Sequence, residues 1–151
     1  MKVIIAGSRT FEREIGGRAV QAALWLAEGL GWKLTEVVCG EARGIDTCGR
    51  LWAEHHGIPV KSFPADWDGK GREAGFIRNV QMAAYADALI AITNGSPGTR
   101  HMIQSAKAKG LKVLVIEMPK VVQVQRDISQ LPFVEFETEM TIEEARRRWP
   151  R

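Results

Sequence analysis

Three segments of this 151-residue chain gather the residue types that hold an anion. The apolar run Val3-Ile4-Ile5-Ala6 empties directly into Gly7-Ser8-Arg9. Glycine lets the backbone approach a ligand, serine and free amides supply hydrogen bonds, and arginine is a forked cation suited to phosphate or carboxylate. In Cys39-Gly40-Glu41-Ala42-Arg43-Gly44-Ile45-Asp46 two glycines bracket a turn just before a helical pattern. Unpaired first-turn amides and the positive end of the helix dipole are therefore offered beside Arg43. Asp46 falls in that first turn, where it either answers the dipole or reaches a ligand hydroxyl. Thr93-Asn94-Gly95-Ser96-Pro97-Gly98-Thr99-Arg100-His101-Met102 is a second glycine loop opening a helix, and Gly98 and Thr99 give it the donors of a phosphate cradle. There is no Walker lysine, and no G-x-G-x-x-G follows the first strand, so neither a P-loop nor the usual dinucleotide fingerprint fits. His101 is either a general base or a packed or exposed ring.

Two further segments add functional groups. Phe63-Pro64-Ala65-Asp66-Trp67-Asp68-Gly69-Lys70-Gly71 reads as a loop in which Trp67 either stacks on a base or covers the edge of the core. Asp66 and Asp68 form an Asp-x-Asp that can hold magnesium, but the pattern is common in loops and no metal or cofactor is expected. Gly75, Arg78, Asn79 and Met82 fall at i, i+3, i+4 and i+7, on one side of a helix. Met82 reads as packing; an arginine and an amide on a face that should be apolar point inward, toward a ligand.

The elements that must position these groups are legible as a rhythm. Apolar strand candidates recur at 2–6, 34–39, 59–63, 88–92 and 112–116, with helical patterns at 14–29, 45–56, 73–86 and 99–109 between them. In the first helix Ile15, Ala19, Ala22, Ala23, Leu26 and Ala27 are expected to form the buried stripe, and Leu51, Trp52 and His55 continue that pattern in the second. Alternating strands and helices imply an α/β fold: a Rossmann-like, doubly wound parallel sheet of about five strands with helices on both faces. All strands of such a sheet end on one edge, where the unusual segments converge. Strands one and four should be neighbours, so that the Gly7 and Gly98 loops face a common phosphate. The nucleotide-binding domain is expected over 1–118. A C-terminal appendage over 119–151 carries strands near 121–125 and 131–134 and a basic helix opened by the Thr141 to Glu144 capping box and running through Arg146, Arg147 and Arg148.

Composition sets the class. Hydrophobic residues at 45% and charged residues at 26% are ordinary for a globular protein, and no apolar stretch approaches the ~20 residues of a membrane span. Met1-Lys2-Val3 passes straight into a strand without the features of a signal peptide, so a cytoplasmic location is expected. Cys39 and Cys48 lack zinc-site spacing and read as reduced thiols. The net charge of +3 favours anionic ligands without demanding a nucleic acid.

Gly7-Ser8-Arg9, Gly40-x-Ala42-Arg43-Gly44-x-Asp46, Pro64-Ala65-Asp66-Trp67, Arg78-Asn79-x-x-Met82, Asp87-Ala88 and Gly95-x-x-Gly98-Thr99 follow one another in this order. Together they resemble the SLOG superfamily, specifically its small YspA-like members, over residues 1 to about 116. The resemblance implies binding, or sensing, of a nucleotide or nucleotide-derived ligand by these residues. The first two motifs are similar to the DprA (Smf) proteins, which implies single-stranded DNA as an alternative partner. The Arg78 to Thr99 block resembles the LOG phosphoribohydrolases, which release a base from a nucleoside 5′-monophosphate. Arg78 matches the catalytic arginine of that family, but its catalytic glutamate corresponds to Met102, which can neither take a proton nor stabilise an oxocarbenium ion. Hydrolysis would then draw on Glu41 or Asp46. LOG proteins form dimers, which implies a homodimer.

Overall fold

A computed structural model describes residues 1–119, and Met1–Pro119 forms one compact unit. The strands expected near 121–125 and 131–134 and the basic helix from Thr141 lie outside the described residues.

The chain runs β1 (Lys2–Gly7), α1 (Arg13–Gly29), β2 (Glu36–Cys39), α2 (Ile45–His55), β3 (Val60–Ser62), α3 (Trp67–Lys70), a 3₁₀ turn (Gly71–Glu73), α4 (Ala74–Tyr85), β4 (Ala88–Thr93), α5 (Pro97–Ala108) and β5 (Lys112–Glu117). The five strands form one parallel sheet in the order β3-β2-β1-β4-β5. The expected α/β doubly wound architecture is therefore present, with β1 and β4 side by side.

Continuous apolar strands require cover on both faces, and the sheet receives it. Val3, Ile5, Val37, Ile90 and Ile92 pack with Val20, Ala23 and Leu24 of α1 and Ile45 of α2. The alternate residues Ile4, Ala6, Val38, Leu89 and Ala91 pack with Met82 and Ala83 of α4 and Met102 and Ala106 of α5. Every residue of β4 is buried. Among the described residues no helix is long and apolar enough to cross a membrane.

The buried stripe of α1 differs from the expected one. Gly16, Ala19, Val20, Ala23, Leu24 and Ala27 are buried, while Ile15, Ala22 and Leu26 are exposed. Close contact with α2 decides the rotation: a Cβ on Gly16 would sit 2.8 Å from the Cys48 sulfur. The smallest residue must face the neighbouring helix, and large ones turn outward. In α2 the buried positions are Ile45, Asp46, Cys48, Gly49 and Ala53, and His55 is exposed.

Candidate functional site

The strand order reverses between β1 and β4, where Gly7 pairs with Ile92. Their helices pack on opposite faces, which opens a crevice beyond the carboxyl ends. A Cβ on Gly7 would collide with the Ile92 carbonyl and the Ile45 side chain, so glycine is required at this approach. Ser8 is buried and bound on several sides. Its N–H donates to the Ile92 carbonyl at 3.1 Å, its Oγ accepts the Asn94 N–H at 3.1 Å, and the same Oγ pairs with Ser96 Oγ at 3.1 Å. Ser96 Oγ in turn pairs with Thr99 Oγ1 at 2.8 Å. Three hydroxyls thus lace the first loop to the fourth. Pro97 opens α5, where a missing N–H is no loss, and leaves the Gly98 and Thr99 amides as first-turn donors without helical acceptors. A Cβ on Gly98 would meet nothing within 4 Å.

On α4, Arg78 and Asn79 do point inward and are only 7% and 4% exposed. Arg78 donates from Nη1 to the Gly40 carbonyl and from Nε to Asn79 Oδ1 at 3.1 Å. Asn79 Nδ2 donates to the Gly98 carbonyl at 3.2 Å and lies 3.2 Å from His101 Nδ1. One amide therefore couples the arginine to the second glycine loop. Asp46, 4% exposed, stands across Gly40 from Arg78: a Cβ on Gly40 would be 2.8 Å from both Arg78 Nη1 and an Asp46 carboxylate oxygen. Only glycine leaves that space.

Burial pushes the Asp46 carboxyl up to about 6. The Arg78 guanidinium, the Ala42 and Gly7 N–H groups and the Arg9 guanidinium pull it the other way. Burial also lowers the Arg78 pKa, against the attraction of Asp46, although an arginine stays protonated. No carboxylate among the described residues makes an ion pair with Arg78, so the guanidinium keeps charge and donors for an incoming anion. Cys39, beneath this loop, takes the Glu41 N–H on its sulfur at 3.4 Å, and burial pushes its thiol up to about 12. It is a packed thiol rather than a nucleophile.

Trp67 begins α3 and is 48% exposed, with the Arg9 guanidinium 5.5 Å from its ring. Gly75 backs it: a Cβ there would be 3.2 Å from the indole. Asp66 caps α3, its Oδ1 accepting the Gly69 N–H at 2.9 Å. Among the described residues no group of three His, Cys, Asp or Glu side chains could hold a metal ion. Asp66→Ala should lower stability by about 1 kcal/mol in urea unfolding, the usual loss at a cap. Asp68→Ala, at an exposed position, should change it by less than about 0.5 kcal/mol. Equal effects would show that the cap does not anchor the tryptophan turn.

These groups surround a cleft of about 410 Å³. Of the residues singled out in the sequence, Gly7 at the end of β1 and Ser8 and Arg9 in the loop after it line the cleft, as do Arg78 and Asn79 from α4. Gly98, Thr99, Asp46 and Trp67 complete the wall. Gly40, Glu41 and Arg43 line an adjoining hollow instead. Gly44 and Gly95 line neither; each holds a turn in the left-handed region, at φ 73° and 96°. Asp66 likewise stays with its helix cap. Met102, at the position of the LOG glutamate, is buried in the cleft wall and brings no acid. His101 is a packed ring, 4.4 Å from Phe76. Sequence reasoning passed over Phe76, Ser96 and Thr10, which also line the cleft. A serine just before a proline that opens a helix is the signal that marks Ser96.

Residues 1–69 match the model of YAcAr, the YspA, cpYpsA-related SLOG family. Over 85 residues the chain is 38% identical to the Gene 61 protein of Mycobacterium phage D29, covering 52% of this chain and 68% of that protein. No solved structure matches.

Proposed function

The chain belongs to the YspA, cpYpsA-related SLOG family, and from that premise we propose that the cleft binds a nucleotide or nucleotide-derived ligand. Its phosphate would lie on the Gly7 and Gly98 loops, Arg78 and Arg9 would answer the charge, and Trp67 would stack on the base. One observation carries this: a buried arginine with no ion-pair partner among the described residues opens into the same cleft as two glycine loops from neighbouring strands. The volume falls in the usual range of small-molecule sites.

A thermal-unfolding screen of nucleoside mono- and diphosphates tests it. A ligand present at about 100 times its Kd should stabilise the fold by about 2.7 kcal/mol, raising the midpoint by about 5 to 10 °C. If no nucleotide in the panel moves the midpoint, the proposal fails.

A second function, cleavage of a ribosyl bond, has one observation in its favour. Asp46 is a buried carboxyl in the cleft wall, and burial raises its pKa to about 6, which keeps about a tenth of it protonated at pH 7, enough to act as a general acid. Incubation with nucleoside monophosphates should then release free base. Full recovery of intact nucleotide would leave binding as the function.

A further inference from the structure

The cleft has a neighbour. A second hollow of about 560 Å³ opens beside it, and the two share Arg9, Ala42, Trp67 and Arg78 in their walls. Two guanidinium groups and one indole therefore stand at a waist between two spaces, and a mononucleotide would fill only one. Given the nucleotide assignment above, on which this rests, we propose that the ligand is a nucleoside diphosphate bearing a hydroxyl-rich group, such as a sugar, on its terminal phosphate. The nucleoside and its first phosphate lie in the cleft, that phosphate on the Gly7 and Gly98 loops, the terminal phosphate reaches the waist between Arg9 and Arg78, and the hydroxyl-rich group occupies the second hollow.

The chemistry of the second hollow favours hydroxyls over another base. Away from the waist it offers a carboxylate, Glu41, and a cation, Arg43, with Pro64 and Ala65, and among the described residues no aromatic ring beyond the shared Trp67. A carboxylate accepts and a guanidinium donates, the pair a polyol can satisfy. Glu41 is also the one non-glycine among the described residues with a left-handed backbone, at φ 60°. Ser62 Oγ donates to its carboxylate at 2.6 Å, and its N–H is held by the Cys39 sulfur. An acidic side chain is thus kept at the rim of the hollow in a conformation that glycine would adopt more readily.

The test compares ADP-glucose, GDP-mannose and UDP-glucose, each against its own parent nucleoside diphosphate, by calorimetric titration of the full chain. The ratio within each pair cancels the base. At least one conjugate should bind about tenfold or more tighter than its parent. Glu41→Gly, which the left-handed backbone tolerates, should bring that ratio to within about twofold of one. Parents that bind as tightly as their conjugates would overturn this inference and leave the nucleotide assignment standing. So would a ratio that survives Glu41→Gly. If neither parents nor conjugates bind, both fall.

Discussion

Valine in place of Gly98 should abolish the nucleotide-induced rise in unfolding midpoint while leaving the free protein as stable as before. The two halves of this expectation have separate causes. A Cβ at Gly98 meets nothing within 4 Å among the described residues, so the first added carbon enters open space. Gly98 is the second residue of α5, where valine is a few tenths of a kcal/mol better than glycine in helix propensity. The same open space is the flank of the cleft, and Asn79 holds the Gly98 carbonyl at 3.2 Å, so the backbone cannot retreat to make room for a phosphate. An affinity loss of about 100-fold, or about 2.7 kcal/mol, follows from excluding the phosphate. Arg78→Gln should give a comparable loss by removing the cation while keeping a polar side chain toward Gly40. A ligand response retained in both variants, read by thermal shift and calorimetry, would remove the phosphate from this cleft.

Sequence exposes some parts of this site and conceals others. Arg78 and Asn79 are conspicuous because polar groups at i and i+1 interrupt a helical face that also carries Met82. A helix cannot bury them unless they do something there. The strand ends are equally plain, since short apolar runs with β-branched residues, such as Ala88 to Ile92, bounded by turn residues, fit a sheet covered on both faces. The start of α5 was harder. The helix begins at Pro97, two residues before the expected 99, because proline fits the first helical position rather than marking the loop. The four-residue α3 gives no periodicity to read, and the aspartate that caps it looked like half of an Asp-x-Asp metal motif. Asp46 was visible as a helix-opening acid. That it is buried across Gly40 from Arg78 depends on where β2 delivers the loop relative to α4, a distance of 32 residues that no local pattern encodes.

Asp46 should make this protein more stable as the pH falls from 8 to 5, against the usual trend for a carboxylate held by cations. Its folded pKa, about 6, lies above the ordinary 3.8. The folded state therefore binds the proton more tightly than the unfolded chain. This stabilising contribution is fully present below about 3.8 and is lost as pH rises through about 6. A displacement of about two units corresponds to about 3 kcal/mol in all, of which about 1.4 kcal/mol falls between pH 8 and 5. Asp46→Asn keeps the shape and cannot ionise, so the difference in stability between variant and wild type isolates this one group from every other titration. The variant should be the more stable at pH 8, and its advantage should shrink by about 1.4 kcal/mol by pH 5 in urea unfolding. Arg78 is the strongest attraction on the ionised carboxylate, so Arg78→Gln should shift the wild-type transition to higher pH. An advantage that stays constant across the range would mean that Asp46 ionises at its ordinary pKa and that burial does not govern it. An advantage that grows on acidification would mean that Arg78 and the Gly7 and Ala42 amides outweigh burial, making Asp46 a fixed counter-charge rather than a proton carrier.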